Sequence, residues 1–202
     1  MVAIIDYDAG NIKSVEKALI HLGAEVCVTR DPALILQADH VILPGVGAFG
    51  DAMQKLREYQ LVEVIRQVAD RNTPLLGICL GLQLFFESSE ESPEAEGLGI
   101  CKGKICRIPQ DTGLKIPHIG WNSLDYPNPG RLFAGIPEGR FVYFVHSYYL
   151  EASDQKIVTA TCDYGVKIQA SVEQGNVFAC QFHPEKSSDT GLQILENFLK
   201  IS

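Results

Sequence analysis

Apolar residues in the first eighty positions follow two alternating patterns, and the alternation predicts the architecture. Short, near-continuous apolar runs occupy residues 2–7, 25–29, 41–43 and 74–78, each of strand length. Between them apolar residues recur at helical spacing: Val15, Leu19 and Leu22 form one stripe, and Leu61, Val64, Ile65 and Val68 another. Strands without polar alternation are buried on both faces, which requires helices on both sides of a mainly parallel sheet. The first half reads as a doubly wound α/β unit.

The pattern changes near Glu87. The stretch 87–97 is acidic, carries Pro and Gly, and is expected to be a surface loop. Strand-length runs follow at 105–108, 141–145, 157–161, 168–172 and 177–181, separated by turn residues, so the second half is expected to be rich in β structure. A closing helix from about Asp189 is marked by Leu192, Leu195, Phe198 and Leu199. No internal repeat or linker-like tract interrupts the chain, and residues 1–202 are expected to form one domain.

Composition narrows the class. With 46% hydrophobic residues the chain can bury a full core, and a formal charge of −8 disfavours nucleic acid or an anionic membrane as partner. Met1 leads directly into a buried-strand pattern rather than a secretory leader, and no apolar run approaches a membrane span, so a cytoplasmic location is expected. The six cysteines, at 27, 79, 101, 106, 162 and 180, fall mostly in apolar segments and read as reduced core residues. Cys101 and Cys106 with His118 match no strong zinc spacing, and neither a metal nor another cofactor is expected.

One cysteine differs from the rest. Gly77-Ile78-Cys79-Leu80-Gly81 places a thiol where a buried strand passes into a helix, the thiol counterpart of a nucleophile elbow. Glycines on either side permit a sharp turn, and unpaired N–H groups at a helix start stabilise a thiolate. Alone, Cys79 is equally consistent with one more buried small hydrophobe. Far downstream, Gln181-Phe182-His183-Pro184-Glu185-Lys186 supplies an imidazole and a carboxylate two residues apart at another strand end, on the same side of the chain. Thiol, imidazole and orienting acid are the parts of an activated sulfur nucleophile.

The two motifs together, 74–83 and 181–185, resemble the class I glutamine amidotransferase family in order and separation. Within it, the tracts 44–53, 117–122 and 143–148, with Gly10-Asn11 and Lys186-Ser187, are similar to the glutaminase subunits of imidazole glycerol phosphate synthases. The resemblance spans the chain. It implies a flavodoxin-like fold with a mostly parallel central sheet flanked by helices, and hydrolysis of L-glutamine to glutamate through a thioester in histidine biosynthesis. It implies Cys79 as nucleophile, His183 as acid and then base, and Glu185 as the group orienting His183. The oxyanion would be met by the N–H of Leu80 and a donor from the Val46–Gly47 segment.

Residues 45–50 also satisfy G-x-G-x-x-G after a strand, the context of a dinucleotide fingerprint. The motif is weak here because it follows the third strand rather than the first and is preceded by Pro44. Backbone freedom explains these glycines equally well: a peptide that turns its N–H toward or away from Cys79 would act as a switch, and an ordinary tight turn is the alternative.

For the substrate, the resemblance implies contacts from Gln83, Glu91, Gly47 and the segment His146, Ser147 and Tyr148. Gln83 could instead belong to a polar helix face, and Glu91 to a solvated loop. The resemblance further implies a (β/α)₈-barrel cyclase subunit that receives the ammonia in a heterodimer and stimulates glutaminase turnover. Asn11, Trp121, Tyr143 and Lys186 match interface positions, although Trp121 could equally be core and Lys186 an ordinary surface charge. Three rival functions remain at this stage: a subunit feeding anthranilate, purine or pyridoxal phosphate synthesis, a stand-alone cysteine hydrolase, and a non-catalytic binding subunit.

Overall fold

The computed structural model describes residues 1–202, the side chain of Thr112 excepted. In chain order the elements are β1 (Val2–Ile5), α1 (Ile12–His21), β2 (Val26–Thr29), α2 (Pro32–Gln37), β3 (His40–Leu43), α3 (Phe49–Glu58), α4 (Val62–Asp70), β4 (Leu75–Ile78) and α5 (Leu80–Leu84). They continue through β5 (Ser88–Ser89), β6 (Gly103–Arg107), β7 (His118–Ser123), β8 (Phe141–His146), β9 (Tyr148–Ala152), β10 (Val158–Asp163), β11 (Lys167–Gln174), β12 (Val177–Cys180) and α6 (Ser188–Leu199).

The main sheet has seven strands in the order β10-β11-β12-β4-β3-β1-β2. The five from β12 to β2 are parallel, and β11 and β10 extend the sheet antiparallel at one edge. Alternate residues of each strand feed two cores. In β1, Ala3 and Ile5 pack with Met53, Leu56 and Ile65 of α3 and α4 on one face. Val2 and Ile4 pack with Val15 and Leu19 of α1 and Ile194, Leu195 and Phe198 of α6 on the other. That two-sided burial is why these strands lack polar alternation. A three-stranded sheet, β5-β6-β9, and a two-stranded ribbon, β7-β8, complete the β-rich half.

Register places the site. Leu43 lies opposite Gly77, and Ile78 opposite Cys180, so β3, β4 and β12 end side by side. The segments that follow them, 44–48, Cys79 and 181–185, emerge together at the carboxyl edge of the sheet, the usual place for a site in an open α/β fold.

Several local expectations are revised. β1 stops at Ile5 rather than Tyr7, because the chain turns there: Asp6 Oδ1 accepts Asp8 N–H at 3.1 Å and Asp8 adopts φ 64°, with Arg30 binding both carboxylates at 2.9 and 2.8 Å. The acidic stretch 87–97 is more than a solvated loop. Its Glu87, Glu90 and Glu91 carboxylates accept backbone N–H groups of Gly103, Arg107 and Phe49 at 3.0, 2.8 and 2.8 Å, tying β6 and α3 together. The hydrophobic pattern did not mark α2, β7 or β9. The first is only six residues long and depends on its Asp31 cap, which accepts Ala33 N–H at 2.8 Å. The second carries Ile119 and Trp121 on an open face, so burial leaves no simple pattern along it.

Candidate active site

Cys79 directly follows β4 in a conformation that few non-glycine residues adopt, φ 56° and ψ −108°, with its N–H donated to Cys180 O at 2.8 Å. Such a strained turn costs on the order of 1–3 kcal/mol and is sustained by what surrounds it. A Cβ at Gly77 would lie 2.7 Å from the Gly81 carbonyl oxygen, and one at Gly81 would collide with the Leu43 carbonyl. Both glycines are therefore needed for α5 to sit against β3 and β4. That helix has only five residues, so its dipole is a smaller influence on the thiol than its position after a strand suggested.

His183 and Glu185 come from the turn after β12. Glu185 Oε1 accepts from His183 Nδ1 at 2.7 Å, and both side chains are buried. His183 Nε2 has no conventional hydrogen-bond partner among the described residues, nor does Glu185 Oε2. Burial alone lowers the His183 pKa, but interaction with Cys79 and with Glu185 outweighs it and pushes the value up to about 9. Both neighbours thus favour the charged imidazole, and Nε2 is the ring nitrogen not engaged by Glu185.

A cavity of about 280 Å³ opens over Cys79, lined by Val46, Gly47, Leu80, Gln83 and Glu91 on one side and Pro117, Val145, His146, Ser147 and Tyr148 on the other. Every residue expected to bind glutamine or its oxyanion is thus brought to one space. The small volume suits an amino acid better than a nucleotide. Glu91 has two attachments: it lines the cavity and caps α3 through Phe49 N–H. Its carboxylate occupies the helix start where a dinucleotide's phosphate would have to sit, which argues physically against the G-x-G-x-x-G reading.

The segment expected to supply an oxyanion donor is tied at its beginning. Buried Tyr7 donates its hydroxyl to Pro44 O at 2.7 Å, and Leu80 N–H donates to Gly45 O at a long 3.3 Å. The Leu80 donor is therefore engaged by protein here. Beyond this anchor Gly47 has φ +107°, a conformation that requires glycine.

His146 and His118 form a buried pair. The Tyr148 carbonyl can only accept, so His146 donates Nδ1–H to it at 2.9 Å, and His146 Nε2 accepts from His118 Nδ1 at 3.0 Å. Burial lowers the pKa of His118 to about 4 and of His146 to about 3, keeping both neutral.

Of the four residues expected at a partner interface, Asn11 is half-buried and also bonded within the chain. Its Nδ2 donates to Glu185 Oε1 at 2.5 Å from a left-handed conformation at the start of α1, which makes it a support of the carboxylate that holds His183. Trp121 is 52% exposed rather than core and makes an edge contact with half-buried Tyr143, and Lys186 is exposed. Among the described residues no group of three or more His, Cys, Asp or Glu converges as a metal site, Cys101, Cys106 and His118 included. The sequence reading missed three residues brought in from distant positions: Tyr7, which anchors Pro44, Gln181, whose amide reaches Cys79, and Val145, whose carbonyl lies 4.0 Å from Cys79 Sγ.

The model of the family described as "Glutamine amidotransferase class-I" matches residues 3–201. The chain belongs to the class I glutamine amidotransferases. It is 54% identical over 197 residues to the imidazole glycerol phosphate synthase subunit HisH of Moorella thermoacetica, covering 98% of this chain and 93% of that protein. The HisH subunit of Aquifex aeolicus is 52% identical over 196 residues, covering 96% and 94%. This amidotransferase is thus a member of the HisH glutaminase-subunit family. Two solved structures share its fold: a glutamine amidotransferase with a TM-score of 0.76 at 22% identity, covering 98% of this chain and 99% of that one, and PurLQS from Thermotoga maritima at 0.74 and 22%, covering 98% and 96%.

Proposed function

We propose that this chain hydrolyses L-glutamine at Cys79 and passes the ammonia directly to a (β/α)₈-barrel cyclase, as the glutaminase subunit of a cytoplasmic imidazole glycerol phosphate synthase heterodimer in histidine biosynthesis. Residues 1–202 act as one catalytic domain. The observation that carries the proposal is the Cys79–His183–Glu185 arrangement beside a glutamine-sized cavity in a member of the HisH family.

The Cys79 thiolate attacks the side-chain amide carbon, and the oxyanion is met by N–H groups from the Val46–Gly47 segment and Leu80. His183, its charged form favoured by Cys79 and Glu185, donates its Nε2 proton to the departing nitrogen, which leaves as ammonia, and becomes neutral imidazole. The same nitrogen then takes a proton from the water that cleaves the thioester, releasing glutamate and restoring the thiolate. Gln83, Glu91 and the 146–148 segment hold the charged ends of glutamine. The engaged Leu80 N–H gives the partner something to change: release from Gly45 O would complete the oxyanion site.

The docking face follows from the β7–β8 ribbon. Ile119, Trp121 and Phe141 are 59%, 52% and 56% exposed on it, with Tyr143 alongside, and Lys186 projects from the turn that carries the triad acid. An aromatic cluster with a cationic neighbour is a suitable interface anchor. No helix among the described residues is long and apolar enough to cross a membrane, and the −8 charge supports a protein partner over nucleic acid.

The decisive assay follows glutamate release by the chain alone and with a cyclase carrying its nucleotide ligand. Stimulation in the full mixture, abolished in Cys79→Ser while ammonia-dependent cyclisation persists, is the expected result. Equal turnover with and without the cyclase would move the partner elsewhere. Loss of ammonia-dependent cyclisation in Cys79→Ser would mean that the cysteine serves assembly.

A further inference from the structure

Gln181 is a fully buried amide beside the nucleophile that the triad chemistry does not use. Its Nε2 lies 3.7 Å from Cys79 Sγ, within reach for an N–H···S hydrogen bond, and its Oε1 accepts from Gln83 Nε2 at 3.0 Å. A side-chain amide can be reversed in place, so this polarity needs an anchor. The anchor is the Tyr148 main-chain carbonyl, which can only accept. Gln83 faces it at 3.3 Å, so the Gln83 nitrogen must point there and toward Gln181. The Gln181 atom receiving that donor must be oxygen, which leaves its NH₂ group facing the sulfur.

We infer that Gln181 is a positioning residue for the nucleophile: its amide N–H holds the Cys79 sulfur and favours thiolate over thiol, with the amide's direction fixed through Gln83 by the Tyr148 carbonyl. The inference deepens the proposed function and rests on its reading of Cys79 as the nucleophile. A thiolate accepts a stronger hydrogen bond than a thiol, so a fixed donor shifts the balance toward the reactive form. Gln83 also lines the cavity. A substrate donor bound to its Oε1 polarises the Gln83–Gln181–sulfur chain and strengthens the last link when glutamine is present.

The readout is the pH dependence of Cys79 alkylation by iodoacetamide, followed by peptide mass spectrometry on the chain bound to its cyclase, for wild type, Gln181→Met and Gln181→Glu. Removing the donor is expected to raise the alkylation midpoint by about one pH unit, a roughly tenfold loss of thiolate below it. Gln181→Glu, nearly isosteric, is expected to raise it further because a carboxylate replaces the donor. Glutamine kcat should fall in parallel with the thiolate fraction, while KM stays within about twofold of wild type. In the wild-type protein, which needs no variant to fold, a Gln181 side-chain amide proton should titrate with the Cys79 midpoint in ¹⁵N-resolved NMR. An unchanged midpoint in folded variants, or a Gln181 amide signal indifferent to the thiol's titration, overturns the inference. Alkylation needs no glutamine, so this result is separable from failure of the glutaminase assay on wild type and Cys79→Ser.

Discussion

Replacing Gly191 with Ala is expected to damage catalysis from the far side of the triad acid. Gly191 lies in the first turn of α6, where the helix backbone meets the turn carrying His183 and Glu185, and its N–H donates to Ser187 O at 3.0 Å. A Cβ there would fall on the Pro184 carbonyl, with Pro184 C at 2.7 Å and Ser187 Cβ at 2.8 Å. Carbon atoms in comfortable contact lie about 3.5–4.0 Å apart, so the helix or the turn must retreat by about 1 Å. Neither moves freely. Ser187 Oγ donates to His183 O at 2.6 Å and accepts Tyr143 N–H at 3.0 Å, while Ile194, Leu195 and Phe198 of α6 are fully buried in the core. A misplacement of about 1 Å in a catalytic group costs roughly 100-fold in rate, on the order of 3 kcal/mol of barrier. Overpacking adds roughly 1–3 kcal/mol of destabilisation. The assay is glutaminase kcat in the cyclase complex together with the melting temperature. Gly23→Ala is the control, because Gly23 (φ +82°) has open space around it and should show backbone strain without loss of kcat. A Gly191→Ala enzyme with kcat within threefold of wild type and an unchanged melting temperature would refute the argument that close approach of α6 sets the triad acid.

Asn11→Ala should lower kcat roughly tenfold with little change in KM or cyclase affinity, because it removes a charge-assisted hydrogen bond to Glu185 worth about 1.5–3 kcal/mol; titration of the cyclase separates this from an interface defect. Trp121→Ala should do the reverse, weakening the heterodimer on the order of 30-fold by calorimetry while kcat at saturating cyclase is retained. Folding stability should peak near pH 6.5–7. His183 is raised to about 9, so its contribution is present below its ordinary 6.5 and lost as pH rises through 9. His118 and His146 are lowered to about 4 and 3, so burying them neutral costs stability as pH falls below 6.5. Urea midpoints from pH 4 to 10 check both limbs, and a Glu185→Gln chain that keeps the full alkaline limb would remove the histidine–carboxylate pair as its source.

The layered α/β core and the chemical parts of the site are legible in the order of residues. Buried strands announce themselves by unbroken apolar runs, and Gly77-Ile78-Cys79-Leu80-Gly81 and His183-Pro184-Glu185 are local because a nucleophile turn and a histidine–carboxylate pair are built from near neighbours. Tertiary structure alone decided what those parts touch. Asn11, expected at an interface, is also bonded to Glu185, a contact across 174 positions. Trp121 was ambiguous between core and surface until pairing of β7 with β8 placed it on the open face. Glu91 looked solvated or substrate-bound and proved also to cap α3. Gln181 gained meaning only when parallel pairing of β12 with β4 set it beside Cys79. Periodicity records which face of an element is buried, whereas the partner of a polar side chain depends on strand order and register, which distant segments settle together.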